Sequence, residues 1–215
     1  MKIEASKSQL EILKRFGAAT TYDVQAQKAA LDPRIAPLDP RTRMVGRAIT
    51  IDAQPGDNLI LHYAVTKAKA GDVIVVDAKG YLEVAVWGDI LTLAAKKVGV
   101  AGLVIDGAVR DAAAMVDMGF PVFCRGLAIR GPTKSQPGNF NVPIVIGGCV
   151  IRPGDIIVGD RDGLVVVAAE EVNDVIGECE ARERKEALVR EGIEGGATTV
   201  SLFGLEEALK KFELH

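Results

Sequence analysis

The chain has 215 residues, 48% of them hydrophobic and 26% charged, with a net charge of −3 at pH 7. This composition is typical of a globular protein with one substantial core. The acidic balance argues against a nucleic-acid-binding surface, and no apolar run approaches the roughly 20 residues that a membrane span needs. Residues 1–16 mix charged and apolar side chains without an apolar signal core, so a cytoplasmic protein is expected.

Two helices are predicted at the start of the chain. Residues 6–17 carry apolar side chains at helical spacing, with Ser6 as the expected N-cap and Gly17 as the stop. Residues 20–31 have the pattern of a second helix. Residues 32–43 contain three prolines and are predicted to form a loop.

Alternating strands and helices follow. Residues 47–53 and 72–78 are rich in branched apolar side chains and predict strands, and a helix is expected between them from residue 58 to about residue 70. Residues 90–98 have the pattern of another helix, and the apolar run 101–109 that of a buried strand. These alternations predict an α/β fold.

The last third of the chain changes pattern. Residues 121–128 predict a strand, and residues 142–168 predict strand, turn, strand, turn, strand. Residues 170–191 form a long helical pattern dense in charge, which the glycines at 192, 195 and 196 are expected to break before a short helix at about 205–212.

Polar side chains gather where the buried strand ends. Arg110 and Asp111 directly follow this strand, and Asp89 lies where a loop turns into a helix. Ligands of helix-covered sheets bind at the carboxyl ends of the strands. If helix 90–98 folds back beside strand 101–109, then Asp89, Arg110 and Asp111 border one pocket.

Each of these three residues also has a simpler interpretation. Asp89 and Asp111 are good helix N-caps, and Arg110 could form a surface ion pair of little energetic value. The functional alternatives are a divalent-metal ligand for Asp111 and a two-pronged donor to a 2-keto acid for Arg110. Asp89 would orient a water or accept a proton.

The cysteines and histidines narrow the chemistry. The three cysteines, Cys124, Cys149 and Cys179, are scattered and odd in number, so we expect buried free thiols. With only two histidines, His62 and His215, a His-rich metal site is nearly excluded. His62 is most simply a packed helical residue and Lys134 a solvated loop residue.

Several motifs carry a family resemblance. Asp89 is followed after twenty residues by Arg110-Asp111, and five further motifs occur in order: PGDN at 55–58, VIDGAVRD at 104–111, DMGFPV at 117–122, GPTK at 131–134 and PGDIIVGDRDG at 153–163. Together they resemble the RraA-like family, and especially its class II pyruvate aldolases. Those enzymes act on 4-hydroxy-4-methyl-2-oxoglutarate and 4-carboxy-4-hydroxy-2-oxoadipate.

The resemblance implies a fold and an assembly. The expected fold is a layered β/β/α swivelling-type single domain over residues 1–215, with a core at about 44–169. Helical extensions are expected at both ends, the C-terminal one over about 170–215. The family also implies a homotrimer or homohexamer that binds a small keto-acid substrate and neither nucleic acid nor membrane.

The resemblance further implies site residues. Asp111 would bind Mg²⁺ or Mn²⁺, and Arg110 would bind substrate and act as the electrophile. The segment Gly88, Asp89, Ile90 and Leu91 would hold the substrate carboxylate at a helix N-terminus, where backbone N–H groups are free. Glu183 or Glu186 would reach the metal's outer shell from a neighbouring subunit, although both could equally belong to a solvated helix face. The aldolases have a histidine at the place of His62, so the resemblance leaves open a supporting role for His62 at the site.

The predicted function is a metal-dependent aldolase that releases pyruvate and a second keto acid, with oxaloacetate decarboxylation as a side activity. The alternatives are a dedicated oxaloacetate decarboxylase and a non-catalytic regulator that binds an endoribonuclease. Two features favour the enzyme: a C-terminal extension beyond the length of the compact regulators, and the complete set of Asp89, Arg110 and Asp111. A methyltransferase role lacks support, because the chain has no glycine-rich fingerprint for a methyl donor.

Overall fold

The computed structural model describes residues 5–26 and 28–213 and divides into two compact units. The larger unit extends to Ile176, and the smaller begins at Gly177, inside the longest helix. Within the described residues, no helix has the length and apolar character to cross a membrane.

A mixed sheet with flanking helices forms the larger unit, which confirms the α/β prediction. The strands are β1 Ala36–Pro37, β2 Met44–Asp52, β3 Asp72–Trp87, β4 Gly102–Val109, β5 Val122–Leu127, β6 Asn139–Phe140, β7 Ile144–Ile146, β8 Cys149–Ile151, β9 Ile156–Asp160 and β10 Gly163–Val167. The helices are α1 Lys7–Val24, α2 Leu59–Lys67, α3 Asp89–Val98, α4 Ala112–Asp117, α5 Val172–Glu194, α6 Thr199–Phe203 and α7 Glu206–Lys211.

The sheet has the order β1-β5-β4-β3-β2-β9-β10, with β6 paired to β2. Strands β2, β3, β4 and β5 pair with one another in parallel. Strands β1, β6, β9 and β10 are antiparallel to the strands with which they pair. All eight residues of β4 are buried, as expected for a parallel strand covered on both faces.

Three layers are visible in the packing. Helices α2, α3 and α4 cover one face of the sheet through a cluster that includes Leu61, Leu91 and Met115. The opposite face is covered by the separate β7–β8 hairpin, whose Ile144 and Ile151 belong to a second apolar cluster. The arrangement is the β/β/α layering expected from the resemblance.

Strand β3 is longer than predicted and leaves its register with β4. Asp77 pairs with Asp106, but three residues then bulge out before Tyr81 pairs with Gly107, and a second bulge precedes Ala85 opposite Ala108. Trp87 finally pairs with Val109. The prediction of a strand over 72–78 missed the exposed, partly polar segment that brings the chain back beside β4.

The N-terminal prediction was partly wrong. Ser6 caps α1 in a capping box with Gln9, and Gly17 breaks the helical geometry, as expected. Gly17 has φ 79°, and a Cβ there would lie 2.7 Å from Asp160 Oδ2, so only glycine fits this bend. The second helical segment ends at Val24 instead of residue 31. Leu31 N–H instead donates to Leu164 O at 3.0 Å, so this segment extends the edge of the sheet.

The C-terminal third also differs in detail. Residues 142–168 form four short strands, because Gly147 and Gly148, both with positive φ, add a turn between β7 and β8. Helix α5 continues through Gly192 and ends at Glu194. A Cβ at Gly192 would lie 2.8 Å from Leu202 Cδ2. The glycine there permits close packing instead of ending the helix, and α6 was not predicted.

Candidate active site

The pairing of β3 with β4 brings the predicted site residues together. Because Trp87 lies opposite Val109, the residues that follow the two strands lie side by side, and Arg110 N–H donates to Trp87 O at 2.9 Å. The buried Trp87 indole donates to Thr92 Oγ1 at 2.8 Å, which ties the end of β3 to α3. Asp89, Arg110 and Asp111 therefore border one cleft, as the sequence predicts.

Gly88 is essential to this closeness. A Cβ atom at Gly88 would lie 2.5 Å from Asp111 Oδ2 and 3.2 Å from Arg110 Cγ. The absence of a side chain lets the start of α3 approach the Arg-Asp pair to contact distance.

Asp111 occupies the N-cap position of α4, but its side chain makes no capping hydrogen bond. Its backbone is left-handed, with φ 58° and ψ 36°, a conformation that Asp tolerates better than most residues. The carboxylate faces across the cleft, where Oδ2 lies 3.4 Å from Asp89 N and 3.5 Å from Arg110 Nε. These long contacts leave most of its hydrogen-bonding capacity for a ligand.

Asp89 is the first residue of α3, and Gly88 is the N-cap, one residue earlier than predicted. Asp89 Oδ1 accepts a hydrogen bond from Ile90 N–H at 2.7 Å. The expectation that Ile90 N–H is free for a substrate carboxylate is therefore wrong in this state. A bound carboxylate would have to displace Asp89 from it, whereas Leu91 N–H lies in the first turn, where the helix supplies no acceptor.

Arg110 projects into the cleft from the end of β4. Its side chain is 44% exposed, and its contact with Asp111 is too long for a strong ion pair. The loop that follows β5 passes close to the guanidinium, since a Cβ at Gly131 would lie 2.9 Å from Arg110 Nη1. The guanidinium is thus positioned by packing and keeps donors available.

A buried carboxylate holds the loop that closes the other side of the cleft. Asp57, 2% exposed, accepts hydrogen bonds from Thr133 Oγ1 at 2.7 Å, Ser135 N at 2.7 Å and Gln136 N at 3.1 Å, and from Leu59 N at 2.9 Å. Burial by itself would raise its pKa, but these donors outweigh burial and hold the pKa well below its ordinary value. Pro132 and Lys134 line the cleft because of this attachment.

We predict that Asp57→Asn lowers the free energy of unfolding by about 2–3 kcal/mol at pH 7, because an amide replaces a charged acceptor of several buried hydrogen bonds. The depressed pKa means that this contribution is complete above the unfolded-state pKa of about 4 and is lost progressively as the pH falls from there toward the lower pKa of the folded state. Urea denaturation from pH 3 to pH 8 measures both effects.

The exposed Asp162, in the β9–β10 turn, provides the control, and Asp162→Asn should change stability by less than about 0.5 kcal/mol. A difference between wild type and Asp57→Asn that stays constant down to pH 3 would contradict the role of the Asp57 charge.

Two residues of α2's first turns also face the cleft. Asn58, the N-cap, is 6% exposed, and His62 lies one turn further on. Burial, and then the positive charge of Lys134, lowers the pKa of His62 below its ordinary value, so the imidazole is neutral at pH 7. No role was predicted for Asn58, although its place in the PGDN motif was an available signal.

The cleft has a volume of about 170 Å³ and contains both signs of charge. Its lining residues are Asn58, His62, Ala85, Val86, Trp87, Gly88, Asp89, Ile90, Leu91, Arg110, Asp111, Pro132 and Lys134. The size suits a small organic acid, and the donors from Arg110, Lys134 and the start of α3 suit its carboxylate and keto oxygens.

Glu183 and Glu186 lie on α5 in the second unit. Glu186 accepts hydrogen bonds from Arg182 Nε at 2.9 Å and from Arg190 Nη2 at 2.8 Å, both one turn away. These pairs are typical of a solvated helix face.

Comparison with known proteins identifies the family. The sequence model of the RraA-like family, described as Aldolase/RraA, matches residues 18–166. A relative from Halalkalibacterium halodurans, named as a candidate 4-hydroxy-4-methyl-2-oxoglutarate aldolase, is 40% identical over 189 residues, 83% of this chain and 90% of the relative. The chain belongs to the RraA-like family.

Two solved structures resemble the fold. A crystal structure of an uncharacterized protein from Pseudomonas syringae pv. tomato matches with a TM-score of 0.85 and 32% identity, over 94% of this chain and 95% of that one. A Streptomyces coelicolor protein, described as an unusual member of the RraA family of RNase ES inhibitors, matches with a TM-score of 0.79 and 28% identity. The match covers 87% of this chain and 99% of the Streptomyces chain.

Proposed function

We propose that the protein is a divalent-metal-dependent aldolase that cleaves a 4-hydroxy-2-oxo acid, such as 4-hydroxy-4-methyl-2-oxoglutarate, to pyruvate and a second keto acid. The observation that carries this proposal is the juxtaposition of a weakly paired Arg110 and an uncapped Asp111 across from the start of α3. The aldolase name of the 40% identical relative supports it.

The donor set fits one kind of metal ion. Among the described residues of one chain, no three His, Cys, Asp or Glu side chains are arranged to hold a metal. An ion at Asp111 must therefore keep several waters or bind substrate oxygens. Mg²⁺ is commonly coordinated in this way in proteins, and Mn²⁺ accepts the same oxygen ligands. Asp111 would hold the ion directly, and Glu183 or Glu186 of a neighbouring subunit would contact its waters. When bound, the ion would supply Lewis acidity at the 2-keto oxygen.

Groups of the chain itself can bind the substrate and stabilise the transition state. Leu91 N–H and the start of α3 would bind the C1 carboxylate, and the Arg110 guanidinium would donate to the 2-keto oxygen. Cleavage moves the C3–C4 electron pair into a pyruvate enolate, while the C4 hydroxyl passes its proton to a water in the cleft and becomes a carbonyl. Negative charge grows on the oxygen next to Arg110, so its donors stabilise the transition state more than the substrate.

The closing step places a proton on C3 to give pyruvate. Asp89 lies at the same mouth of the cleft and would orient the water that donates this proton, or accept one from the methyl group in the reverse direction. Oxaloacetate decarboxylation generates the same enolate, so we propose it as a side activity. Decarboxylation as the physiological reaction is the alternative within the enzyme class.

A non-catalytic regulator is the second candidate function, favoured by the similarity to the Streptomyces inhibitor family member. A regulator needs a protein-binding surface and has no use for open donors beside a carboxylate inside a cleft. Pyruvate release distinguishes the two. The assay should cover 4-hydroxy-2-oxo acids and oxaloacetate, each with Mg²⁺, with Mn²⁺ and with EDTA.

The expected result is EDTA-sensitive release of pyruvate from at least one 4-hydroxy-2-oxo acid. Release from oxaloacetate alone would favour the dedicated decarboxylase. No pyruvate release from any acid, together with tight binding of an endoribonuclease, would contradict the enzyme proposal and support the regulator.

The second unit motivates a prediction about assembly. Among residues 180–213 none is fully buried, and Leu188, Phe203 and Phe212 are 68%, 58% and 76% exposed. Large apolar side chains in a thin helical unit suit burial against another copy of the chain. We therefore expect a trimer or hexamer in light scattering, with the sites completed between subunits.

Co-expression tests the shared site. Asp111→Ala and the double variant Glu183→Gln/Glu186→Gln should each lose activity, and hetero-oligomers of the two should regain part of it. A fully active monomer, or no recovery in mixed oligomers, would exclude the cross-subunit contribution.

A further inference from the structure

Two buried polar atoms in the cleft have no hydrogen-bond partner. They are Asn58 Oδ1 and His62 Nε2, and within the described part of the chain the only other such side-chain atom is Gln25 Nε2, which does not line this cleft. A buried polar group without a partner costs free energy, so such atoms in a binding cleft indicate that a ligand satisfies them.

The orientation of the Asn58 amide follows from its neighbours. Its Nδ2 donates to Val86 O at 3.1 Å in the protein interior. The reverse orientation would face two oxygens toward each other, so the amide nitrogen must lie against Val86 and Oδ1 is the amide atom left without a partner. The Asn58 backbone is also held, since its N–H donates to Thr133 O at 3.0 Å.

His62, whose Nε2 is unpartnered, lines the same cleft. Its backbone N–H donates to Asn58 O at 3.2 Å, which places the two residues one helical turn apart on one face of α2. The cleft therefore contains, next to the donors of Arg110 and Lys134, an acceptor that requires a donor from the ligand.

We propose that Asn58 Oδ1, with His62 Nε2 beside it, forms a subsite for the C4 hydroxyl of the substrate. This inference rests on the proposed function. Carboxylate and keto oxygens are acceptors only, so the hydroxyl is the one hydrogen-bond donor that a 4-hydroxy-2-oxo acid offers at neutral pH. Asn58 Oδ1 can be satisfied by such a substrate only through this group.

The subsite determines specificity. In its keto form oxaloacetate has no hydroxyl, and its binding would leave Asn58 Oδ1 buried without a partner. A site built to bond a hydroxyl discriminates against analogues that lack one. The subsite thus favours cleavage of hydroxy acids over decarboxylation of oxaloacetate.

The test compares two ligands that differ by this hydroxyl, 4-hydroxy-2-oxoglutarate and 2-oxoglutarate. Calorimetry in EDTA, where the proposed metal-dependent cleavage does not run, should show that wild type binds the hydroxy acid about 10- to 100-fold more tightly, the range expected for one buried hydrogen bond. Asn58→Leu, which has a similar shape, should bind the two ligands within about 3-fold of each other. It should also lose cleavage activity by about 10- to 100-fold, a larger factor than its loss of oxaloacetate decarboxylation.

Thr66→Ala, on the same helix and outside the cleft, is the control and should keep the wild-type preference. If Asn58→Leu does not fold, His62→Leu serves as the second variant. It should also show a smaller preference for the hydroxy acid over 2-oxoglutarate. Wild type without a preference, or variants that lose both reactions equally, would overturn the subsite. If wild type prefers the hydroxy acid but cleaves no substrate, the subsite proposal would stand and the lyase proposal would fail.

Discussion

Replacement of Arg110 by Ala is expected to lower kcat for the best 4-hydroxy-2-oxo acid by about 10²–10³-fold, the usual cost of one preorganised donor to an oxyanion. KM should change much less, because the charge on the 2-keto oxygen develops only as the C3–C4 bond breaks. Arg110→Lys keeps the charge but loses the planar fork, so it should remain badly impaired. Steady-state kinetics of both variants measures these effects.

Stability separates this role from a structural one. Arg110 is 44% exposed, and its Nε lies 3.5 Å from Asp111 Oδ2, so both substitutions should change the free energy of unfolding by less than about 1 kcal/mol. Arg130 is a matched control, because it is 73% exposed, pairs with Glu83 at 3.4 Å and does not line the cleft. Normal turnover by Arg110→Ala would remove the electrophilic role and favour the regulator.

Replacement of Asp111 should have a comparably large effect through the metal. Asp111→Asn keeps the shape of the side chain and the tolerance for a left-handed backbone, which Ala lacks. Its amide loses the charge that attracts a hard cation, so turnover should fall by about 10³-fold and Mn²⁺ binding should weaken. Electron paramagnetic resonance with Mn²⁺ provides a readout that is independent of catalysis.

The fold of this variant should be preserved, because the Asp111 side chain makes no capping hydrogen bond. Asp111→Ala should show the same loss of turnover plus about 1–2 kcal/mol of destabilisation from its left-handed backbone. Wild-type activity that survives exhaustive chelation would show that Asp111 does not act through a metal.

The sequence alone determined the features that depend on neighbours along the chain. The buried run before Arg110 predicted β4, Ser6 predicted the start of α1, and Gly17 predicted the interruption of its helical geometry. Motifs such as VIDGAVRD, read with their order, identified the family, which the family model then confirmed over residues 18–166. Local periodicity and capping act within a few residues, so the amino-acid sequence itself indicates where these helices and strands lie.

Tertiary structure decided the site itself. The bulges in β3 restore the pairing of Trp87 with Val109, and no local pattern specifies that register. Asp57 binds Ser135 and Gln136 across separations of 78 and 79 residues, which turns a glycine-rich loop into a wall of the cleft. The Asn58 amide is oriented by the hydrogen bond that its nitrogen donates to Val86 O, 28 residues away. Which polar groups remain unpaired depends on contacts between distant segments, and only the folded chain determines those contacts.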